Sequence, residues 1–335
     1  MTSPAPDAPM RRWLPAFLAV ALIWGTSFMF IKDALVELEP VYIAGYRIAL
    51  GALTLLAYLA VRRLPLPRGV RLWAHLFVFS LFACTIPFTL FGYAEQRVPS
   101  VLAGIWNGTA PLTTLLVTLV AVRSERPGRR QLTGLLIGFV GVLVVLGVWE
   151  GVGGSSALGQ LMLFGAVLCY GIAFNYTRWL MKHFDVTPLQ LSVGQLVTST
   201  LHLLIAAPLI AGAPPAPLGH SPRVYLAVVA LGVFGTGIAF ALNFHVVRTA
   251  GVTTGSMVTY LPPFVAAVAG TVFLGETLTW HQPVGGLIVL AGVGASQGLF
   301  SAVRRRPREQ VGRRQRIDDA LSRDPAGDGA RTPVG

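Results

Sequence analysis

The chain has 335 residues, of which 54% are hydrophobic and only 12% are charged, and its mean hydropathy is +0.66. A soluble protein carries about 25% charged residues, so this composition excludes an ordinary cytosolic enzyme. The net charge of +12 is compatible with binding nucleic acid or acidic lipid, and its distribution along the chain decides between them. The two cysteines, Cys84 and Cys169, lie in apolar runs and therefore indicate neither a disulfide framework nor a metal site.

Apolar runs free of Lys, Arg, Asp and Glu recur along the chain. A helix that crosses about 30 Å of hydrocarbon needs roughly 20 mostly apolar residues, so each run predicts a membrane span. Nine runs cover 13–31, 72–94, 98–122, 131–149, 151–177, 186–222, 224–247, 249–275 and 277–303, and a tenth, 40–61, is interrupted only by Arg47. The sequence therefore predicts an all-α integral membrane protein with ten transmembrane helices.

The basic residues predict the orientation of these spans. If residues 1–12 are cytoplasmic, 22 of the 26 Lys and Arg residues fall on the cytoplasmic side. This asymmetry follows the positive-inside rule, so we expect both termini in the cytoplasm, including a polar tail over 304–335 that is predicted to be disordered. The basic charge thus indicates topology and a lipid environment rather than a nucleic-acid-binding surface.

The second part of the sequence repeats the first. A shift of 151 residues places 97–147 over 248–298 without a gap. The aligned pairs include Arg97 with Arg248, Gly104 with Gly255, Pro111 with Pro262 and Glu125 with Glu276. Five spans in each half, over 13–149 and 157–303, would place the second half upside down in the membrane. Inverted repeats are typical of secondary transporters that bind substrate between the halves.

These motifs also resemble a known family. They comprise Trp24-Gly25-Thr26-Ser27-Phe28, Pro40 with Arg47, Pro111-Leu112 with Glu125, Gly134 and Gly141, and Pro262 with Gly275-Glu276, Gly285 and Gly292. Over roughly 13–303 the chain resembles the EamA family of the drug/metabolite transporter superfamily. The resemblance implies ten helices around a central cavity, a cytoplasmic-membrane location and export or exchange of small metabolites, often amino acids. Tyr170-Gly171-Ile172-Ala173-Phe174 copies the first motif imperfectly, so no role is carried to span six by symmetry.

Arg47 lies about 10 Å inside its predicted span, where a charge costs several kcal/mol unless it is paired or reaches water. One interpretation is that Arg47 binds the carboxylate of an anionic or zwitterionic substrate. The other is a structural role, in which Arg47 pairs with Asp33, Glu37 or Glu39 or bonds to backbone carbonyls. The clustering of these acids at the near end of the span favours the structural role.

Polar and aromatic residues within other spans predict a substrate pocket. The amides of Asn107, Asn175 and Asn243 either line a wet cavity or bridge neighbouring helices. A partly aromatic, neutral pocket would suit an amphipathic metabolite. Its predicted members are Trp24, Tyr93, Trp106, Asn107, Asn175, Asn243 and Tyr260.

The acidic residues predict structural rather than catalytic roles. The repeat places Glu125 and Glu276 on opposite membrane faces, so they are expected to anchor helix ends. No acidic residue lies deep within a predicted span, which leaves coupling to protons open. No phosphate-binding loop, metal-ligand cluster or other cofactor motif is present, so we expect neither an enzyme nor a cofactor-dependent protein.

The sequence thus predicts a secondary transporter that exports amino acids or similar amphipathic metabolites across the inner membrane by alternating access. Its expected partners are a small-molecule substrate and the lipid bilayer, and its oligomeric state, monomer or homodimer, stays open. One alternative is efflux of hydrophobic cations or drugs, which a carboxylate facing the cavity would favour. A polytopic enzyme that acts on lipid is a more distant alternative, since no catalytic cluster is evident.

Overall fold

A computed structural model describes residues 10–121, 128–147, 156–216 and 219–297, except for the side chains of 121, 251–257 and 297. Glu125, the N-terminal residues 1–9 and the polar tail 304–335 lie outside this part of the chain. The α-helices are α1 (Leu14–Ala34), α2 (Pro40–Arg62), α3 (Val70–Ser80), α4 (Ile86–Glu95), α5 (Ser100–Asn107), α6 (Ala110–Ala121), α7 (Arg129–Leu146), α8 (Ala157–His183), α9 (Pro188–Ala211), α10 (Pro222–Val229), α11 (Ala239–Met257), α12 (Pro262–Phe273) and α13 (His281–Gln297). The described residues form no β-strand.

Seven continuous helical segments are long and apolar enough to cross a membrane. They are Leu14–Ala34, Pro40–Arg62, Val70–Glu95, Arg129–Leu146, Ala157–His183, Pro188–Ala211 and Pro222–Ala250. The chain bends by 43° between α5 and α6, and the number of candidate spans rises to eight if these two helices form one broken span. The apolar segment Val258–Phe273 and helix α13 are shorter than these segments within the described residues. The chain is therefore a multi-span, all-helical membrane protein.

Two of the long segments contain π-helical turns. Leu81–Thr85 joins α3 to α4, and Ala230–Ile238 joins α10 to α11. A π-helical turn widens the backbone, and such turns occur frequently at functional sites. These two lie in the third predicted span of each sequence half.

Helices α5 and α12 approach each other closely at the bend between α5 and α6. A Cβ on Gly104 would lie 2.4 Å from the Cβ of Ala266, and one on Gly108 would lie 2.9 Å from Cγ of Pro263. Helix α1 joins them, because a Cβ on Gly25 would lie 2.3 Å from the Cβ of Val265. Glycine at these positions therefore lets three helices meet where α12 begins.

Helices α7 and α13 form a second close pair. A Cβ on Gly134 would lie 2.4 Å from the backbone nitrogen of Ser296, and one on Gly292 would lie 2.4 Å from that of Gly138. Such small residues allow helix backbones to approach within van der Waals contact in a membrane.

The segments around the C-terminus of α1 meet at one end of the molecule, which we call the Lys32 end. Asp33 of α1 pairs with Arg223 of α10, where Nε lies 2.9 Å from the carboxylate. Glu37 accepts hydrogen bonds from the backbone nitrogen of Ser221 at 3.0 and 3.2 Å. Side-chain and backbone hydrogen bonds from Ser221 lower the pKa of Glu37, and His220 at 2.9 Å contributes to the same shift.

Candidate functional site

Arg47 lies at the centre of a buried group that both halves of the sequence supply. Its side chain on α2 is only 9% exposed. Nε donates a hydrogen bond to Oγ1 of Thr236 at 3.0 Å, and the guanidinium carbon lies 4.2 Å from the centre of the Phe88 ring. Tyr170 of α8 stacks on Phe91, which lies one turn beyond Phe88 on α4, with ring centres 6.1 Å apart. We call Arg47, Phe88, Tyr170 and Thr236 the arginine site.

The π-helical turn Ala230–Ile238 positions Thr236. The Thr236 hydroxyl donates to the carbonyl of Leu231, five residues earlier, at 2.9 Å and accepts from Arg47 at the same time. Gly51, one turn beyond Arg47 on α2, makes room for this contact. A Cβ at Gly51 would lie 2.5 Å from the Thr236 methyl group.

The arginine site holds a positive charge without an acidic partner. Neither of the two ion pairs among the described residues includes Arg47. Asp33 pairs with Arg223, and Glu37 binds Ser221 and His220. Two of the three acids expected as structural partners of Arg47 are thus otherwise engaged, and the third, Glu39, is exposed. Because a buried cation is stable only when it is paired or hydrogen-bonded, this arrangement is suited to an anionic group such as a carboxylate.

Two residues of the predicted pocket, Tyr93 and Trp24, share packing neighbours with Phe88 of the arginine site. Tyr93 packs against the same buried cluster as Phe88. Trp24 contacts Phe240, which packs on that cluster too, with ring centres 6.1 Å apart. No contact of Tyr93 or Trp24 with the guanidinium itself is present among the described residues.

A second group of predicted residues lies where α1, α11 and the turn before α12 meet. Leu242 and Leu261 pack in the same cluster as Trp24, which places their neighbours Asn243 and Tyr260 nearby. Tyr260 itself packs against Leu112, Val289 and Val293. The amide oxygen of Asn243 is buried and accepts no hydrogen bond from the described residues.

The remaining predicted residues lie on α5 and α8. Trp106 is buried, and its Nε1 donates to Oε1 of Gln160 at 3.3 Å. Asn107, half-buried, is the last residue of α5, directly before the bend. Asn175 bridges α8 to α6, where Oδ1 accepts from Thr118 at 2.8 Å and Nδ2 donates to the carbonyl of Thr114 at 3.1 Å. Asn175 thus has the helix-bridging contacts of the second interpretation offered for these amides.

Glu276 caps the first turn of α5. Its carboxylate accepts from the backbone nitrogens of Ser100 at 2.7 Å and Val101 at 3.1 Å, and from the Ser100 hydroxyl at 2.9 Å. These bonds satisfy donors that a helix N-terminus leaves without intrahelical partners. A residue of the second half therefore holds a helix of the first.

Glu95 is a buried acid that the sequence reasoning did not single out. It ends α4, its side chain is 0% exposed, and neither carboxylate oxygen accepts a hydrogen bond from the described residues. Counting apolar runs treats every charged residue as a boundary, so it placed Glu95 between two spans. The sequence did contain a signal of its burial. Only three residues, 95–97, separate the two apolar runs, and a connection that short keeps Glu95 between the neighbouring helices.

An apolar groove of about 450 Å³ lies elsewhere, between the π-helical turn Leu81–Thr85 and α9. Its wall includes Leu209, which is 81% exposed, so the groove opens on the apolar outer surface. None of the predicted site residues lines it. The groove is therefore separate from the arginine site.

A multi-span helical protein with a buried cation between its halves belongs to the class of membrane transport proteins, and comparison with known proteins agrees. The model of the EamA-like transporter family matches twice, over residues 11–147 and 157–296. The chain belongs to the EamA-like transporter family, a family of transporters rather than enzymes. The family expected from the sequence motifs is thus confirmed.

Individual relatives include proteins described as transporters. An uncharacterized inner membrane transporter of Escherichia coli, YedA, is 27% identical over 87% of this chain and 93% of its own length. A probable amino-acid metabolite efflux pump of Salmonella typhimurium is 26% identical over 82% of this chain and 91% of its own. A crystal structure with 18% identity shares the fold, with a TM-score of 0.61 over 88% of this chain and 98% of the solved one.

Proposed function

We propose that this protein is a secondary transporter that exports amino acids or similar small amphipathic metabolites across the cytoplasmic membrane by alternating access. The observation that carries the proposal is the buried guanidinium of Arg47, which forms no ion pair among the described residues. A carboxylate accepts two parallel hydrogen bonds from a guanidinium, and the surrounding aromatic rings suit an apolar side chain. The relative described as a probable amino-acid metabolite efflux pump supports this substrate class.

The position of the site supports transport between two halves. Arg47 and Phe88 belong to the first region matched by the family model, and Tyr170 and Thr236 belong to the second. Secondary transporters bind substrate at such an interface near the bilayer midplane. Relative movement of the halves would separate Arg47 from Thr236 and open the site towards one side.

Contacts between the ends of different spans support ten spans with alternating direction. Asp33 after the first span pairs with Arg223 before the eighth, and Glu276 after the ninth binds Ser100 before the fourth. At the other end, His245 lies 3.1 Å from the carbonyl of Arg12. Each pair meets at the end that ten alternating spans require. In the proposed orientation the Lys32 end is extracellular, and both termini are cytoplasmic.

Export from intact cells tests this function. Cells that express the protein are loaded with dipeptides that hydrolyse to individual amino acids, and the amino acids released to the medium are measured. We expect faster release of at least one amino acid, lost in Arg47→Gln and in the double variant Asn107→Ala/Tyr260→Ala, while each variant still inserts into the membrane. Unchanged release of every amino acid would contradict the amino-acid assignment.

Glu95 favours a second candidate function, the efflux of hydrophobic cations. A buried carboxylate is the group that would attract such a cargo, although the positive charge of Arg47 would repel it. Growth in the presence of lipophilic cationic dyes distinguishes the two. Resistance that depends on expression and on Glu95, but not on Arg47, would establish the cation exporter.

A further inference from the structure

Glu95 and Glu276 lie at the same end of the molecule and differ sharply in their environments. Glu276 accepts three hydrogen bonds at the start of α5. Glu95 is 0% exposed, and its two carboxylate oxygens accept none from the described residues. An ionised carboxylate in such a place lacks the donors that a buried charge needs, whereas a protonated carboxyl loses much less on burial. The Glu95 pocket is therefore built for a group that gains and loses a proton.

Charged groups approach Glu95 from several elements. Lys32 of α1 donates a hydrogen bond from Nζ to the main-chain carbonyl of Glu95. Arg47 of α2 and Glu276, which follows α12, act on the carboxyl electrostatically, and Tyr170 of α8 acts on Arg47. Lys32 is half-buried, so it links the buried carboxyl to the surface of the Lys32 end.

Lys32 gives the carboxyl an alternative partner. The Lys32 ammonium already binds the main-chain oxygen of Glu95, whose carboxylate oxygens accept no hydrogen bond from the described residues. A change of rotamer would transfer the ammonium from the carbonyl to an ionised carboxylate and form an ion pair. Glu95 would then alternate between two arrangements, a neutral acid with Lys32 on the carbonyl, as in the structure, and a carboxylate with Lys32 on the side chain.

We propose that Glu95 binds the proton that this transporter exchanges for its substrate. On release, the O–H bond of the carboxyl breaks, the proton passes to water, and the carboxylate pairs with Lys32. On binding, a proton from water forms the O–H bond and Lys32 returns to the carbonyl. A metal ion would need several oxygen ligands, and the Lys32 ammonium already occupies the nearest one. This inference rests on the proposed transport function.

Transport by the purified full-length protein in liposomes tests the coupling. The probe is a set of radiolabelled amino acids, and two activities are compared: accumulation driven by a pH gradient, and exchange of labelled for unlabelled amino acid without a gradient. Glu95→Gln imitates the neutral acid and cannot release a proton. The matched control is Glu39→Gln, because Glu39 is an exposed acid at the same end.

We expect Glu95→Gln to lose gradient-driven accumulation at least tenfold and to retain exchange, whereas Glu39→Gln retains both. Gradient-driven accumulation at the wild-type level in Glu95→Gln would overturn the proposal. Equal loss of accumulation and exchange in a protein that elutes as wild type from a sizing column would also overturn it, because that result assigns Glu95 to binding or structure.

Infrared absorption tests proton binding without any substrate, so its outcome is independent of the proposed cargo. The difference between the spectra of wild type and Glu95→Gln at neutral pH should contain the carbonyl stretch of a carboxylic acid, which disappears at alkaline pH. The difference for Glu39→Gln serves as the control for the bands that the Gln amide itself introduces. If no amino acid moves in liposomes but the acid band is present, the cargo assignment fails and the proton site stands. Carboxylate bands alone for Glu95 would overturn the site.

Discussion

At the scale of single residues, Arg47 and Thr236 define how the protein holds a charge in a membrane. One hydrogen bond and one aromatic face stabilise the guanidinium, and no acid neutralises it among the described residues. A charged group at this depth costs several kcal/mol, which a protein tolerates where the charge has a function. In the proposed function, a substrate carboxylate would supply the missing partner and would thereby stabilise the site.

Glu276 has a structural role that a stability measurement can isolate. Replacing Glu276 with Ala removes three hydrogen bonds from the first turn of α5. We expect the free energy of unfolding to fall by about 2 kcal/mol, the scale of a lost helix cap with charged hydrogen bonds. Thermal unfolding in detergent measures the effect, with Glu39→Ala as an exposed control. Equal melting temperatures for the two variants would contradict the capping role.

Sequence reasoning identified Arg47 but not its surroundings. A single arginine in an apolar run is conspicuous in the sequence, whereas Thr236 becomes its partner only because a π-helical turn 189 residues away presents the hydroxyl. The burial of Glu95 was missed because it depends on how α1, α2 and α4 pack around it. Local patterns do not contain such long-range contacts.

At the scale of elements, irregular segments position the site. The third predicted span of each half contains a π-helical turn, and α5–α6 bends by 43° beside the start of α12. Close contacts between Gly104 and Ala266 and between Gly108 and Pro263 bring these irregular regions together. The close approach of Gly108 to Pro263 could not be predicted, since neither sequence segment encodes the distance between them.

The α7–α13 pair gives a matched test of glycine packing. A Cβ on Gly292 would lie 2.4 Å from the backbone nitrogen of Gly138, whereas one on Gly286 in the same helix would meet nothing closer than 3.5 Å. We expect Gly292→Ala to destabilise the protein by about 1–3 kcal/mol through overpacking, and Gly286→Ala to leave stability unchanged within about 0.5 kcal/mol. The melting temperatures of the two purified variants provide the comparison, and similar values would refute the close-packing account.

At the scale of the whole molecule, two matched halves enclose one charged site. The family model covers 11–147 and 157–296 separately, and the arginine site draws residues from both. The multi-span, all-helical character could be predicted from the apolar runs, because the bilayer imposes this pattern on any sequence, whereas the ten spans and their direction stay predictions. The substrate could not, since it depends on a few side chains whose contacts form only on folding.

Cysteine labelling tests the proposed orientation. Gln96 and Arg68 are exposed residues in successive connections, so single cysteines there should lie on opposite sides of the membrane. In a chain with Cys84 and Cys169 replaced by Ser, we expect a membrane-impermeant maleimide to label Gln96→Cys in intact cells. Arg68→Cys should react only after permeabilisation. The reverse pattern would place both termini outside.

Binding of a substrate carboxylate by Arg47 is the basis of the proposed function. The most direct measurement compares the exchange, in liposomes, of an exported amino acid with that of its carboxamide, which keeps the amine and side chain but lacks the negative charge. The account predicts that wild type transports the acid at least tenfold faster than the amide, and that Arg47→Gln transports the acid no faster than the amide. Transport of the amide as fast as the acid by the wild-type protein would contradict it.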